Sequence, residues 1–567
     1  MYILGIWDGH DSGAALLDDN RIIFAANEER YTKRKLEVAF PYHSIQAALR
    51  HAGLRPSDID VVSFPTTELT KTLSRIFPWQ KESYYQFRRR KMPRPAAEDL
   101  MHYTKYAMTS IGPLPLCGYI SRSVIRSTLE GMGFKDYELH SVDHHTAHAA
   151  TAAFTSGMKK ALVVTLDGVG DGLSGSISTF ARGELRREEN ISVRDSIGIF
   201  FEQVTNIVGM RELEDEGKVM AMADYSFPFK FSENRLRHFF KVDGTRIIAT
   251  YGPATQYRML RNIAWGMPRE QFAYMAQQLL ENVLASFFGN AIGDYGIGSV
   301  AMAGGVMSNV KANMAIRKLS ALKEWYIFPH MGDGGIALGA AMYTNYTING
   351  TSSYAFGNAY LGDSYDEDYI ARLLKSDKSL SCERVRDPGK HAAELLERDN
   401  YVFWFQGRME YGPRALGDRS IIARADSERV KDQLNLYVKQ REWYQPFAPS
   451  VLQEDASRML YFSKGNASRF MTMAYEVKEE AREHMKSVMH VDMTARPQTL
   501  GDENPEYRSL LENVRKRTGY GMVLNTSFNI HGMPIVASPE DAVYTMKKTR
   551  TKNMIMGNYF VQYKVLD

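Results

Sequence analysis

The chain has 567 residues, of which 44% are hydrophobic, and a formal net charge of +4 at pH 7. This length predicts about two to four folding units with packed cores, and the small net charge gives no overall reason to expect a nucleic-acid partner. No apolar run is long enough to span a bilayer, and the apolar residues 1–7 favour a first strand over a signal peptide. Cys117 and Cys382 form no Cys-x-x-Cys motif, which predicts a reducing cytoplasm and no disulfide framework.

A pattern of strand, Asp-Gly turn and hairpin occurs twice in the first half of the chain. Residues 3–17 predict two strands around a turn that contains Asp8, and residues 22–26 predict a third strand. Residues 161–166 lead into a second turn at Asp167, and a further hairpin follows. The two copies predict an internal duplication.

Two more glycine-rich turns follow, at residues 300–309 and 328–335. Glycine turns after strands let the backbone approach phosphates closely, although each turn alone is equally typical of an ordinary tight turn. The repeated turns, with Asp167 in one and Asp333 in another, resemble those of the actin-like ATPase superfamily, in which two related halves close over a nucleotide.

The alanine-rich residues 141–154 predict a helix with Asp143 as its N-cap. His144 and His148 would then lie one turn apart on the same face, as metal ligands or as a hydrogen-bonded pair. Asp167 and Asp333, at predicted strand ends, add two carboxylates to these imidazoles. The set suits iron(II), manganese or zinc, and its oxygen content favours iron or manganese. The His-Glu-x-x-His motif of zinc proteases is absent, so the set does not indicate a zinc protease.

Two charged segments remain open to alternatives. The basic, aromatic residues 84–94 fit a solvated helical arm or oligomer contact better than a surface for an anionic acceptor or nucleic acid. Lys218, at a glycine turn, fits a phosphate contact and a surface lysine equally well.

The main domain boundary is predicted near residues 344–364, which are rich in Asn, Gly, Ser and Tyr. Beyond it, cations and polar side chains follow apolar strands in Pro- and Gly-bearing loops. Arginine and lysine hold phosphate oxygens, and Asn and Ser can donate from a turn. Independent surface cations are the alternative, but the shared context favours one anion pocket formed from residues 406–420, 439–450, 494–499 and 524–529.

The combined motifs at residues 144–148, 412–417, 441–443, 446–449 and 525–529 resemble those of the NodU/CmcH/TobZ family of O-carbamoyltransferases, almost from end to end. The resemblance implies an α/β protein with a duplicated actin-like (ASKHA, Kae-like) domain at 1–350 and a YrdC-like α/β domain at 351–567. It also implies two steps: the second domain makes carbamoyl adenylate from carbamoyl phosphate and ATP, and the first domain, with its metal, moves the carbamoyl group onto a hydroxyl.

The resemblance also implies roles for individual residues, through the motifs that match. The resemblance implies that carbamoyl phosphate and the ATP phosphates are held by Arg414, Lys439, Arg441, Arg496, Asn525 and Ser527. It implies that Lys35 joins them, although Leu36 replaces the His that follows this lysine in many relatives. The metal ligands would be His144, His148, Asp167 and Asp333, with iron(II) favoured, and Mg²⁺ would accompany ATP. The nucleotide turn of the transfer domain would be Gly304, Gly305 and Asn309.

The implied chemistry suits these residue types. Carbamoyl phosphate and ATP are both anions, so their reaction needs cations, among which Lys35, Arg414 and Lys439 are expected to be catalytic. A metal can polarise the carbamoyl oxygen. Asp8 is the candidate base for the acceptor hydroxyl, with a turn-capping or nucleotide-side role as the equal alternative.

Other functions remain as alternatives. A threonylcarbamoyl-type tRNA modification enzyme shares both domain types, and an actin-like nucleotide switch shares the first. The carbamoyltransferase hypothesis predicts a cytoplasmic enzyme with a small-molecule hydroxyl acceptor, no membrane partner and no nucleic-acid partner, and it allows a homodimer. Loops are expected to shape the pocket that selects the acceptor, and residues 65–125 are the expected place for these loops.

Overall fold

The computed structural model describes residues 1–88, 104, 107–462 and 468–564. The chain divides into two units: the first contains Met1–Glu28 and Leu36–Phe356, and the second contains Glu29–Lys35 and Gly357–Asp567. No helix among the described residues is long and apolar enough to cross a membrane. Of the basic stretch at 84–94, residues 89–94 lie outside the described part.

The strands are short, and almost all are buried on at least part of their length. In chain order they are β1 (Tyr2–Trp7), β2 (Gly13–Asp18), β3 (Arg21–Asn27), β4 (Val61–Pro65), β5 (Glu138–Val142), β6 (Lys160–Gly170), β7 (Leu173–Ala181), β8 (Glu184–Ser192), β9 (Phe240–Asp243), β10 (Arg246–Ala249), β11 (Ser299–Ala303), β12 (Glu324–Ile327), β13 (Leu380–Arg384), β14 (Val402–Phe405), β15 (Arg419–Ala423), β16 (Ala448–Leu452), β17 (Tyr475–Glu476), β18 (Thr494–Ala495), β19 (Gln498–Leu500), β20 (Met522–Ser527), β21 (Asn553–Met556) and β22 (Tyr559–Tyr563).

Helices separate most of these strands. They are α1 (Glu29–Thr32), α2 (Tyr42–Ala52), α3 (Leu69–Ile76), α4 (Pro78–Arg88), α5 (Pro115–Gly131), α6 (His144–Thr155), α7 (Ile197–Ile207), α8 (Glu216–Ala223), α9 (Pro253–Ala264), α10 (Arg269–Tyr295), α11 (Val310–Arg317), α12 (Ile336–Asn349), α13 (Glu367–Ser376), α14 (Pro388–Glu397), α15 (Glu428–Gln433), α16 (Gln453–Met459), α17 (Pro505–Thr518) and α18 (Pro539–Thr549). A π-helix, Leu434–Lys439, continues α15.

The first unit contains two five-stranded sheets of the same topology, in the orders β3-β2-β1-β4-β5 and β8-β7-β6-β11-β12. In each sheet the first three strands in sequence are antiparallel, and the other two run parallel to the first. Hairpin turns join the first three strands and helix-containing crossovers lead to the last two, because only a crossover can join parallel neighbours. The predicted duplication and the actin-like fold class are therefore confirmed.

The central helices of the first unit, α6 and α12, are built from small residues and pack closely. A Cβ atom added at Gly339 would lie only 2.0 Å from the carbonyl oxygen of Ala147. Glycine is needed here because the two helix backbones approach so closely. This packing fixes α6, whose first two turns carry the predicted metal-ligand histidines.

The second unit is built on an eight-stranded mixed sheet in the order β13-β22-β21-β14-β15-β20-β16-β19. Its core includes the fully buried Trp404, Ile422 and Val523, packed against the apolar faces of α14 and α17. The α/β class predicted for this part of the chain is confirmed. The structural division falls between 356 and 357, and Glu29–Lys35 belongs to the second unit.

Candidate metal centre and anion site

Four side chains from three elements meet in the first unit: His144 and His148 from α6, Asp167 from β6, and Asp333 from the turn before α12. The carboxylate of Asp143 caps α6 by accepting from the backbone N–H of Thr146 at 2.8 Å. This cap starts the helix at His144 and so places the two histidines one turn apart on one face.

The geometry of the cluster fits one metal ion. Nε2 of His148 lies 3.0 Å from Oδ2 of Asp167 and 3.7 Å from Oδ1 of Asp333, while Nε2 of His144 lies 3.6 Å from each carboxylate. Ligand atoms about 2.0–2.2 Å from a shared ion would be about 3–3.6 Å apart. Among the described residues, Nε2 of His144 is buried without a hydrogen-bond partner. A buried nitrogen of this kind suits a metal ligand.

Two neighbours that the sequence did not single out orient His144. Nδ1 of His144 lies 3.0 Å from the hydroxyl of Thr66, and its backbone N–H donates to Asp171 at 2.9 Å. Occupation of Nδ1 leaves Nε2 facing the carboxylates, as in metal sites where a second partner fixes the imidazole. Asp171 lies in the same glycine-rich turn as Asp167, so the sequence contained a signal for it, but no local pattern indicates Thr66.

The four side chains of the cluster shift one another's pKa values. Burial disfavours the charged form of His144, but the carboxylates of Asp167 and Asp333 outweigh this and raise its pKa to about 10. Burial disfavours charge on Asp167 too, yet the two imidazoles hold the pKa of this carboxyl well below its usual range. Burial and the charge of Asp167 raise the pKa of Asp333. The cluster thus attracts positive charge at its centre.

Asp8 does not have the surroundings of a base. It is buried at the end of β1 and accepts from Arg75 at 3.0 and 3.1 Å, while Nζ of Lys71 lies 2.9 Å away and that of Lys81 3.5 Å away. Burial would raise the pKa of Asp8, but these cations hold it well below its usual range. A carboxylate held this way is a weak proton acceptor, so the geometry favours a structural role over the predicted base role.

The predicted nucleotide turn lies against the metal cluster. Gly304 has φ +97°, and a Cβ atom added at Gly305 would lie 2.9 Å from Oδ1 of Asp167. Asn309 caps α11 through the N–H of Ala312 and exchanges two hydrogen bonds with Gln277. The close turn is therefore present, whereas the Asn309 side chain is already engaged in structural bonds.

Lys218 lies at the start of α8, in a cluster of charges of both signs. Its Nζ is 3.2 Å from Oδ1 of Asp215, which also accepts from Arg211. The contact with Asp215 favours a structural ion pair over a free phosphate contact.

The second unit gathers the predicted cations into one cluster. Desolvation lowers the pKa of Arg414 to about 10. Desolvation and then the positive charges of Arg414 and Arg441 lower that of Arg496. Desolvation, Arg441 and Lys35 lower the pKa of the buried Lys439. These cations are desolvated and repel one another, so an anion bound among them would offset the repulsion. The cluster is therefore a candidate anion site.

Lys35 reaches this cluster because its segment belongs to the second unit. Arg30 donates to the carbonyl oxygen of Gly412 at 2.7 Å, Tyr31 donates to Asp363 at 2.6 Å, and Lys33 pairs with Asp541. The first of these bonds joins the segment to the same loop that carries Arg414. No pattern in residues 29–35 indicated these partners.

The loop with Arg414 is organised around Glu410, another residue that sequence reasoning missed. One carboxylate oxygen of Glu410 accepts from the backbone N–H groups of Leu416, Asp418 and Arg419 at 2.8, 2.9 and 3.1 Å. Tyr360 and Gln498 donate to the carbonyl oxygen of Leu416. These bonds fix the backbone on both sides of the Arg414 side chain.

The polar end of β20 completes the site. Lys439, at the end of the π-helix, donates to the backbone and hydroxyl oxygens of Ser527 and to Asn529. The side-chain nitrogen of Asn525 donates to the carbonyl oxygen of Ala415, beside Arg414. All the predicted anion-site residues are thus found in one unit, on loops, on β20 and at the end of the π-helix.

Most of the chain matches two families of known proteins. The family described as Carbamoyltransferase N-terminus matches residues 2–342, and that described as Carbamoyltransferase C-terminus matches residues 393–563. The chain therefore belongs to the carbamoyltransferase family of enzymes, and the resemblance seen in its motifs is confirmed.

Three individual relatives show how far the similarity extends. An uncharacterized protein of Methanocaldococcus jannaschii is 34% identical over 78% of this chain and 76% of its own length. Nodulation protein NolNO of Sinorhizobium fredii is 31% identical over 98% of this chain and 79% of its own length. A 3'-hydroxymethylcephem-O-carbamoyltransferase of Streptomyces clavuligerus is 31% identical over 62% of this chain and 65% of its own length.

Proposed function

We propose that this enzyme makes carbamoyl adenylate from carbamoyl phosphate and ATP and then transfers the carbamoyl group to a hydroxyl of a small molecule. The observation that carries the first step is the cation cluster of the second unit, in which the charges of Arg414 and Arg441 both act on the buried Arg496. The cephem O-carbamoyltransferase among the relatives supports a hydroxyl acceptor.

The first step consumes one water: carbamoyl phosphate, water and ATP give carbamoyl adenylate, inorganic phosphate and pyrophosphate. Both substrates are anions, and their mutual repulsion must be offset before they can react. Arg414, Arg441 and Arg496 would bind the phosphates with their planar, multi-donor groups, and Lys35 and Lys439 would add point charges. Because Lys439 already donates to Ser527, the position of its amino group is fixed before substrate arrives.

The second step is assigned to the first unit. His144, His148, Asp167 and Asp333 would hold a divalent metal, for which iron(II) is our preferred assignment, and manganese or zinc would suit the same donors. When bound, such an ion would supply Lewis-acid polarisation of the carbamoyl oxygen. Thr66 and Asp171 would hold His144 in the orientation that this requires. The base role of Asp8 is not part of the proposal.

A tRNA-modifying enzyme of the threonylcarbamoyl type is the alternative with shared chemistry. The match of both halves to carbamoyltransferase families favours the small-molecule acceptor instead. We also propose Mg²⁺ as the companion of ATP, a cytoplasmic location and no nucleic-acid or membrane partner, and we regard a homodimer as compatible with the chain.

The direct test of the first step is exchange of labelled pyrophosphate into ATP by the purified full-length enzyme. We expect exchange that requires carbamoyl phosphate and Mg²⁺, and no exchange when threonine and bicarbonate replace carbamoyl phosphate. Exchange without carbamoyl phosphate, or none in its presence, would contradict the proposal. A mass-spectrometric screen of alcohols for an added carbamoyl group would then identify the acceptor class.

Arg414→Ala should reduce this exchange below about one hundredth of the wild-type rate, because substrate charge in the site would be left uncompensated. The matched control is Arg429→Ala, which removes an exposed arginine of the second unit that pairs with Asp399 at the surface. The control should keep the wild-type rate. Wild-type exchange by a folded Arg414→Ala variant would show that the anion site is wrongly placed.

A further inference from the structure

The transfer step needs a proton acceptor for the attacking hydroxyl, and the cations around Asp8 leave that role unfilled. Glu68, which directly precedes α3, lies in the segment expected to shape the acceptor pocket. Its side chain is buried, with 8% exposure of the residue, and within the described part of the chain its Oε2 atom has no hydrogen-bond partner. A buried acceptor without a partner is costly, so it suits a site where a ligand donates to it.

Glu68 lies beside the candidate metal centre because its neighbours in the chain are bonded to it. Two residues earlier, the hydroxyl of Thr66 lies 3.0 Å from Nδ1 of His144. The backbone N–H of Thr67 donates to Asp171 at 3.1 Å, and the other carboxylate oxygen of Asp171 accepts from the backbone N–H of His144 at 2.9 Å. These bonds join the residues just before Glu68 to the start of α6, which carries the candidate ligands.

The first turn of α3 fixes the other half of the Glu68 carboxyl group. The hydroxyl of Thr70 donates to Oε1 of Glu68. The backbone N–H of Thr72 donates to the carbonyl oxygen of Glu68 at 2.9 Å. Because the backbone is held and Oε1 is occupied, Oε2 is the atom that remains for a ligand.

The other carboxyl groups near the start of α6 are committed elsewhere. Each oxygen of Asp171 accepts from a backbone N–H, and Asp143 caps α6 and pairs with Arg187. Asp167 is a candidate metal ligand, and it also accepts from the backbone N–H of the next residue at 2.7 Å. Unlike these groups, Glu68 combines burial with an oxygen that has no partner in the described part of the chain.

The electrostatic surroundings of Glu68 suit a proton acceptor at neutral pH. Burial raises the pKa of Glu68 to about 7, although the hydroxyl of Thr70 lowers it. The charge of Asp171 raises this pKa and that of His144 lowers it, as expected for a carboxyl group beside the metal cluster. A base is most effective when its pKa lies near the working pH, and the cations around Asp8 prevent this for Asp8.

We propose that Glu68 is the catalytic base of carbamoyl transfer: its Oε2 accepts the proton of the acceptor hydroxyl while the hydroxyl oxygen attacks the carbamoyl carbon. The new oxygen–carbon bond replaces the bond between the carbamoyl carbon and the adenylate phosphate oxygen. The electron pair of the broken bond leaves with AMP, and the proton then passes from Glu68 to solvent. This inference rests on the proposed transfer step of the first unit and adds the group that activates the acceptor.

Two nucleophiles test the proposal on the full-length enzyme supplied with iron(II), Mg²⁺, ATP and carbamoyl phosphate. Ethylene glycol is an alcohol that needs a base, whereas hydroxylamine attacks as a neutral amine and needs none. We expect Glu68→Gln to form glycol carbamate at least about a hundredfold more slowly than wild type. It should form hydroxyurea at close to the wild-type rate. Glu130→Gln, which removes an exposed carboxylate of α5, should keep both rates.

The outcomes separate a base from a structural residue. A folded Glu68→Gln variant that forms glycol carbamate at the wild-type rate would overturn the proposal. Equal loss of glycol carbamate and hydroxyurea would also overturn it, because a structural role predicts that result. Pyrophosphate exchange by wild-type enzyme without any glycol carbamate would refute this inference and leave adenylate formation standing. Absence of exchange would refute the proposed function, and this inference with it.

A second variant decides the question if Glu68→Gln does not fold. Glu68→Asp keeps a carboxylate but places it one methylene further back. It should lower the ratio of glycol carbamate to hydroxyurea about tenfold, because proton transfer depends on close positioning. A wild-type ratio in this variant would contradict the base role of Glu68.

Discussion

Buried charge at single residues decides what several of the candidate residues can do. Asp8 is surrounded by Arg75, Lys71 and Lys81, and this excess of cations removes the basicity that its position in the first turn suggested. Arg414 is in the opposite situation, since desolvation alone acts on its pKa and leaves its charge available to a ligand. Sequence patterns identified both residues as candidates. Only their partners in the structure distinguish a charge with a structural role from a charge that can bind a ligand.

Asp8→Asn should lower the free energy of unfolding by about 3–5 kcal/mol at pH 7, because it leaves buried cations without their counter-charge. Asp8 has a pKa well below its usual range, so its contribution is present above the unfolded-state pKa of about 4 and is lost as the pH falls further. The difference between wild type and variant should therefore shrink below about pH 4. Urea unfolding at several pH values measures it.

Asp18→Asn is the control for this prediction. Asp18 pairs with the exposed Arg21, and loss of such a pair costs about 1 kcal/mol or less. If Asp8→Asn were as stable as this control, the ion cluster around Asp8 would not be a stabilising element.

Gly170 shows how closely the metal centre is packed. A Cβ atom added there would lie 2.2 Å from the imidazole ring of His144. Gly170→Ala should displace this ring and lower the metal content of the purified enzyme at least about fivefold, measured by mass spectrometry of the metals. Gly118→Ala, where a Cβ meets open space, should keep the wild-type content. Equal metal content in both variants would argue against His144 as a ligand.

At the scale of elements, the short segment Glu29–Lys35 has the largest effect on the anion site. It contains α1, and its contact from Arg30 to Gly412 joins residues 382 positions apart in the chain. Through this contact the segment both supports the loop of Arg414 and directs Lys35 toward Lys439.

Arg30→Ala should reduce carbamoyl-phosphate-dependent pyrophosphate exchange about a hundredfold, because small displacements of positioned groups have effects of that size. Lys33→Ala, which removes a more exposed pair with Asp541 in the same segment, should reduce it by less than about threefold. Similar rates in the two variants would show that the bond from Arg30 to Gly412 does not position the site. Steady-state exchange rates at several carbamoyl phosphate concentrations provide the comparison.

Elements that depend on local signals were predictable from the sequence. The Asp-Gly turns and the hairpins beside them occur twice, and the two sheets confirm the duplication. The helix predicted at residues 141–154 corresponds to α6, which begins at His144 and is capped by Asp143 as expected. Turn and cap chemistry lies within a few residues, so a pattern can reveal it.

Features that depend on distant partners were not predictable. No local pattern indicates that Arg30 bonds to Gly412 or that Glu410 accepts from three backbone N–H groups. The cations around Asp8 come from α3 and α4, whose sequences indicate only helices. The four candidate metal ligands were named from residue type and strand ends, and the structure brings them together, while metal binding itself stays a proposal.

At the scale of the whole molecule, each unit carries one candidate site of opposite character. The first unit has a cluster of imidazoles and carboxylates that attracts a cation, and the second has a cluster of cations that attracts an anion. The family matches also divide into an N-terminal and a C-terminal part, at 2–342 and 393–563. We propose that the two sites perform separate steps, with adenylate formation in the second unit and carbamoyl transfer in the first.

Measuring metal content and pyrophosphate exchange together in two variants tests this claim most directly. We predict that His148→Ala loses bound metal but keeps carbamoyl-phosphate-dependent exchange, and that Arg414→Ala loses exchange but keeps its metal. His140→Ala and Arg429→Ala, which remove side chains from surface pairs, should keep both. A folded His148→Ala enzyme without exchange, or a folded Arg414→Ala enzyme without metal, would contradict the assignment of the two steps to two sites.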